Sequence, residues 1–187
     1  AYGGAKAQKH IHVAESLQSL RTLNFSCPSA PDEVSDPYRG IDFKDVGGHE
    51  DVKRALQIAA AGNHGVLMMG PPGSGKTMLA SRLPSILPPL ADEEMLETAK
   101  IHSIVGEDTS ALLAGMRPFR APHHSATAAG LAGGGSPVRP GELSLAHHGV
   151  VFLDELSEFK PSVLQVMRKP MEDGQVVITR AEGNIVL

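Results

Sequence analysis

The sequence runs to 187 residues with 41% hydrophobic and 20% charged residues, the balance of a globular domain with a core, so disorder is excluded as the default. A net charge of -4 gives no overall electrostatic footprint for nucleic acid, although a local basic patch fits beneath it. One cysteine, Cys27, rules out an internal disulfide and a thiolate zinc cluster and fits a reducing, cytoplasmic compartment. With no apolar run of about 18 residues and no signal-peptide pattern in AYGGAKAQKH, no membrane association is expected. The chain starts without methionine, and it is expected to be part of a longer polypeptide.

From Ala1 to about Gly40 the only periodic apolar pattern is HVAESLQSLRTL, where Val13, Leu17 and Leu20 share one face of a predicted helix. The proline-bearing stretch SCPSAPDEVSDPY after it reads as a linker. His10 and His12 have no third ligand nearby and read as a solvated pair. The main domain is expected over residues 41–187, with residues 1–40 a connector.

Asp51 to Ala61 places Val52, Ala55, Leu56 and Ala59 on one face, which predicts a helix ending at Gly62-Asn63. Val66 to Met69 is a continuous apolar run of the kind a buried parallel strand needs. It leads into GPPGSGKT, where Gly70 and Gly75 bracket four residues before Lys76 and Thr77 and so meet the pattern G-x-x-x-x-G-K-[ST], Walker A. Glycines at 70, 73 and 75 let the backbone N–H groups point inward as a nest for phosphate oxygens. Pro72, Ser74 and Met78 complete the loop's surroundings. Lys76 is expected to reach the β- and γ-phosphates, and the Thr77 hydroxyl to sit on Mg²⁺. A helix from about Gly75 to Leu83 adds its positive end. The bland alternative for the pattern alone is a glycine-proline turn that binds nothing.

Pro84, Pro88 and Pro89 end that helix, and ADEEMLETAKIHSIVG predicts another, with Asp92, Glu93 and Glu94 in its first turn and Gly106 either its cap or the next loop. Arg117 to His124 reads as a short extended segment. Ser125 to Gly149 reads as one helix interrupted by an excursion at Gly133 to Gly141. Val150 to Leu153 is a second apolar strand closed by Asp154 and Glu155, Walker B, which delivers an acidic pair to the carboxyl edge of a parallel sheet. Asp154 is expected to hold Mg²⁺ and Glu155 to polarise the attacking water. Pro161 to Glu172 predicts a helix with proline in its first turn, and QVVITR with NIVL flank AEGN as a hairpin. The two motifs in this order, about eighty residues apart, point to an Mg-ATP site.

Three weaker features complete the reading. His123-His124 and His147-His148 are adjacent pairs whose side chains are expected to diverge, so neither is a chelate by itself. Arg117, Arg120, Arg139 and Arg180 form either a basic lining for nucleic acid or scattered solvated charges. Met68, Met69 and Met78 read as core fillers around the loop.

DFKDVGGHEDVKRAL, GPPGSGKTMLASRLPSILPPL, RPFRAPHHSATAAGLAGGG, PGELSLAHHGVVFLDELSEF and MEDGQVVITRA together resemble the magnesium-chelatase-like AAA+ ATPases, and within them the ComM (YifB) branch of bacterial competence-related proteins. The likeness covers Ile41 to Leu187, and Ile11 to Asn24 resembles the connector that follows an N-terminal Lon-like domain in that branch. It implies an α/β P-loop NTPase fold of the helix-2-insert and pre-sensor-1 hairpin class. The excursion at Gly133 to Gly141 would be the insert and the terminal hairpin the pre-sensor-1 hairpin, both facing the pore of a homo-hexameric ring. The resemblance further implies ATP and ADP as ligands, Mg²⁺ as cofactor, and Val46 and Gly47, with neighbouring His49, at the adenine pocket. A glutamine often stands where His49 is. Arg120, His123 and His124 would have structural or inter-subunit roles. Leu187 falls within the hairpin, before the sensor-1 asparagine, the arginine finger and the helical lid, so the fragment alone is expected to bind nucleotide weakly and hydrolyse it poorly. The implied parent is a DNA-processing, branch-migrating motor; the alternative is the ATPase subunit of a magnesium chelatase.

Overall fold

The computed structural model describes residues 42–180 and 183–186, with side chains described through residue 177. The predicted connector helix, the linker with Cys27, and His10 and His12 lie outside the described residues.

A single 3₁₀ turn, Phe43–Asp45, opens the described chain; Asp42 accepts from the Lys44 N–H at 3.1 Å and Asp45 accepts from the Asp42 N–H at 3.2 Å. These two bonds satisfy donors that a helix start leaves bare. Helix α1 (Glu50–Ala61) follows, with Gly62 donating back to Ala60 and Ile58. Phe43, Val46, Leu56 and Leu79 form a buried cluster that Met68, Leu83 and Ile86 close off. This cluster ties the opening turn and α1 to helix α2 (Lys76–Ser81) and the 3₁₀ turn Leu83–Ile86, which carries Pro84 in its first positions. The helix is shorter than expected because the chain tightens to 3₁₀ where the Pro84 nitrogen cannot donate.

The predicted strand at Val66 to Met69 is corrected. Residues 64–70 join no ladder among the described residues, and Val66, Leu67 and Met69 are 48%, 70% and 86% exposed. Met68 alone turns into the neighbouring cluster. An apolar run specifies burial on two faces but not the strand that pairs with it, and no described strand lies alongside. Met69 and Met78 are therefore exposed rather than core-filling; of the three methionines only Met68 packs as expected.

Helix α3 (Asp92–Val105) ends at Gly106, whose φ of 76° identifies it as the cap. Glu94 accepts from the Ala91 N–H at 2.9 Å, closing the first turn. After the short helix α4 (Ser110–Leu113), strand β1 (Phe119–Arg120) pairs in parallel with β4 (Val150–Val151), Phe119 opposite Val150. The Val150 N–H donates to Pro118 and that of Phe152 to Arg120, at 2.9 and 2.8 Å, so the extended run reaches past the two ladder residues. Between these strands the expected interrupted helix is present: α5 (Ala128–Ala132), a small antiparallel ribbon of β2 (Gly133–Gly134) and β3 (Arg139–Pro140), and α6 (Glu142–Leu145). Thr127 caps α5 by accepting from Gly130 N–H at 3.0 Å. Helix α7 (Pro161–Asp173) begins with its proline and stops at Gly174, φ 69°. Leu131, Phe159 and Val163 bury themselves against Leu143, Leu153, Leu164 and Met167, so α5, α6 and α7 share a second core. The predicted hairpin is formed by β5 (Val177–Arg180) and β6 (Gly183–Val186). Among the described residues no helix is long and apolar enough to cross a membrane.

Two arginines lock β1 to the helices. Arg117 donates to the Pro88 carbonyl at 2.6 Å, the His148 carbonyl at 2.7 Å and the Glu94 carboxylate at 3.1 Å. Arg120 forks onto Glu142 at 2.6 and 3.0 Å and reaches Glu107 at 3.1 Å. Glu107 also faces Nδ1 of buried His102 at 2.9 Å, while the His102 Nε2–H donates to the Leu145 carbonyl at 2.8 Å. The Glu142 hydrogen bond is the main cause holding the Arg120 guanidinium above its ordinary value. Side chains that are only 14% and 23% exposed and already paired correct half of the basic lining: Arg117 and Arg120 fasten the fold. Arg139 is exposed on β3, and the Arg180 side chain lies outside the described set.

The Ala91 N–H first, and Arg117 after it, hold the Glu94 carboxyl below its ordinary value of 4.5. A depressed carboxyl stabilises the fold where it is ionised, above that value, and loses the contribution as pH falls through its folded pKa. Glu94→Gln is therefore expected to lower the urea midpoint at neutral pH, with the gap from wild type closing as pH falls through the folded pKa of Glu94, below its ordinary value of 4.5. A gap that stays constant across this range would contradict the assignment.

Candidate nucleotide site

The glycine loop folds as its composition requires. Gly73 and Gly75 adopt φ of 76° and 79°, a left-handed conformation that side chains resist. A Cβ at Gly75 would meet Met78 Cε at 3.2 Å and lie 3.9 Å from His49 Nε2, so the loop's floor is closely lined. His49 itself sits at φ 58° as the residue before α1. The family resemblance implies a place beside an adenine pocket; in the structure its ring lies against the glycine loop at Gly75. Lys76 Nζ donates to the carbonyls of Gly70 and Pro71 at 3.0 and 2.9 Å and to Ser74 Oγ at 3.4 Å, which holds the ammonium across the loop it follows.

Thr77 Oγ1 donates to Asp154 Oδ2 at 2.8 Å. The other carboxylate oxygen, Oδ1, accepts the Glu155 N–H at 3.0 Å, so both oxygens of Asp154 have fixed partners. A hydroxyl and a carboxylate in contact are hard oxygen ligands of the kind Mg²⁺ takes through one or two protein groups, and the glycine cradle beside them is shaped for an anion. The residues present therefore fit a magnesium-bound phosphate group. Glu155 is turned by its own φ of 52°, an uncommon value for a non-glycine residue, and its side chain is 65% exposed. It points to His124 Nδ1 at 3.4 Å. That pairing was missed in the sequence, where His124 carried no sign of a carboxylate partner about thirty positions on. His124 meets Phe159 edge-on at 6.5 Å and lies against His123, whose Nδ1 is 2.8 Å from Ser125 Oγ.

The structure thus brings together Gly73, Ser74, Gly75, Lys76, Thr77, Asp154 and Glu155. Val46 is 2% exposed, its side chain in the core with Phe43 and Leu56, and its carbonyl accepts from Lys53. Gly47 is exposed next to it, and Pro72 is exposed on the loop.

The parallel pairing of β1 with β4 among helices is an α/β arrangement and fits the AAA+-like class to which the matching family belongs. The chain belongs to the magnesium chelatase family: the family model described as magnesium chelatase, subunit ChlI, matches residues 42–186. It is 52% identical over 187 residues to the uncharacterized protein YifB of Salmonella typhimurium, covering 97% of this chain and 37% of the relative. Competence protein ComM of Haemophilus influenzae is 52% identical over 178 residues, with 95% and 33% covered. Lon protease 2 of Bacillus subtilis is 32% identical over 187 residues, with 89% and 31% covered. The chain spans about a third of the length of these curated relatives.

The Thr77–Asp154 contact has a stability signature that needs no ligand. In a double-mutant cycle with Thr77→Val and Asp154→Ala, urea unfolding is expected to give a coupling energy of about 0.5–1.5 kcal/mol. Additive effects of the two substitutions would remove the contact from the account.

Proposed function

We propose that this chain binds ATP and Mg²⁺ through residues 70–78 and Asp154, and that in the full-length protein the site hydrolyses ATP. The observation that carries the reading is the Thr77 Oγ1 to Asp154 Oδ2 hydrogen bond, which puts the end of the glycine loop against the acid three residues beyond β4. Bound Mg-ATP supplies the transferable γ-phosphoryl group and the cation that screens its charge. The N–H groups of Gly73 to Thr77 bind phosphate oxygens, and Lys76 exchanges its hold on the Gly70 and Pro71 carbonyls for the β- and γ-oxygens. Thr77 and Asp154 hold the cation. Glu155, exposed and one residue further on, orients water and accepts its proton. Val46 and Gly47 are the residues proposed to border the adenine.

The relative named a competence protein supports a parent that acts in competence; in our reading that parent is a DNA-processing, branch-migrating motor, assembled as a homo-hexamer, with ADP as product. In that reading the β2–β3 excursion is the helix-2 insert and β5–β6 the pre-sensor-1 hairpin, with exposed Arg139 on the former able to meet phosphates. The description of the matching family favours the second reading, an ATPase subunit that drives metal insertion by a magnesium chelatase.

ATP turnover of the full-length protein with and without DNA separates the two, since stimulation by DNA supports the motor and stimulation only by chelatase partners supports the second. Lys76→Ala is expected to abolish binding of a fluorescent ATP analogue, whereas Glu155→Gln keeps binding and slows hydrolysis on the order of 10²–10⁴-fold. Wild-type turnover by Glu155→Gln would remove Glu155 from its role.

A further inference from the structure

Outside the nucleotide site, His147 and His148 do not diverge as adjacent residues ordinarily do. His148 takes φ 55°, which folds the chain back on itself, and the two rings lie 3.9 Å apart between centroids. Both turn toward α3. His147 Nε2 is 3.5 Å and His148 Nε2 3.0 Å from the same oxygen, Oε2 of Glu97. One ring nitrogen from each histidine and a Glu97 oxygen lie within 4.8 Å of one another.

From this convergence we propose that Glu97, His147 and His148 form a binding site for a borderline divalent transition metal, of which Zn²⁺ is the type. Tetrahedral coordination with bonds of about 2.0–2.2 Å sets ligand atoms roughly 3.3–3.6 Å apart, so the contacts of 3.0 and 3.5 Å to Glu97 are already close to tetrahedral edges. Two imidazoles and one carboxylate suit zinc and disfavour Mg²⁺, which prefers oxygen ligands and its own water. All three side chains reach solvent, being 39%, 28% and 57% exposed, which leaves an entry path and room for water as a fourth ligand.

A second layer of contacts stands behind the ligands. Nδ1 of His148, the nitrogen turned away from Glu97, faces Glu94 Oε1 at 3.4 Å. Glu94 is in turn held by Arg117 at 3.1 Å and by the Ala91 N–H at 2.9 Å. A carboxylate on the far nitrogen fixes the orientation of a ligating imidazole and raises its basicity. The backbone is anchored as well: the His148 carbonyl accepts from Arg117 at 2.7 Å, and the next residue, Gly149, is wedged so close to Pro118 that an added Cβ would lie 2.1 Å from its carbonyl oxygen. The ion would therefore staple α3 to the entry of β4, whose first residue, Val150, stands four positions before Asp154.

Isothermal titration of the 187-residue chain with ZnCl₂ tests the site. One saturable Zn²⁺ per chain is expected, with Glu97→Gln and His147→Ala each weakening it at least about tenfold and Glu94→Gln by about 10–100-fold. Glu97 is exposed, so its variant keeps the fold, checked by far-UV circular dichroism, and MgCl₂ should give no comparable heat. The proposal is overturned if wild type shows no saturable binding at about 100 μM Zn²⁺, or if Glu97→Gln and His147→Ala bind as wild type does.

Discussion

The close approach of Gly149 to Pro118 is the constraint on which the rest depends. Only a residue without a Cβ lets the two chains come near enough for Val150 N–H to reach the Pro118 carbonyl at 2.9 Å, and that bond sets the register of β4 on β1. Arg117 holds the preceding carbonyl from the other side. With the start of β4 fixed, Asp154 falls four residues beyond Val150, where Thr77 meets it. The position of Asp154 beyond the end of the strand is thus set by packing at its beginning.

Two small cores flank that line. One, around Phe43, Val46, Leu56 and Leu79, carries the glycine loop on the end of α2. The other, around Leu131, Phe159 and Val163, includes Leu153 and so supports the acid from below. The charged pairs between them are not decoration. Arg120, shared by Glu107 and Glu142, and Arg117, shared by Glu94 and two carbonyls, occupy half-buried ground where an unpaired guanidinium would be costly.

What the sequence made legible is what local chemistry dictates. The spacing of Gly70, Gly75, Lys76 and Thr77 has one good explanation because only those residue types can curl around phosphate. The helix end at Gly62-Asn63 was readable from composition, whereas at Gly106 cap and loop stayed open until its φ of 76° decided for the cap. The interruption of a helix at Gly133 to Gly141 was readable from composition as well. Pairing across the chain was not. Val66 to Met69 has the composition of a buried strand, yet strandhood is a relation to a neighbour, and the described residues place none there. Nor could spacing reveal that Glu155 faces His124, that the arginines of RPFR are consumed by carboxylates at 94, 107 and 142, or that a left-handed turn at His148 folds two histidines together.

We propose that the glycine loop and Asp154 form one site, joined through Thr77. The Mg²⁺ dependence of ATP affinity measures it most directly. Mg²⁺ is expected to tighten ATP binding by the wild-type chain, and Asp154→Asn to lose this increment while keeping its Mg²⁺-free affinity. An Asp154→Asn variant whose ATP affinity still rises with Mg²⁺ as much as wild type's would contradict it.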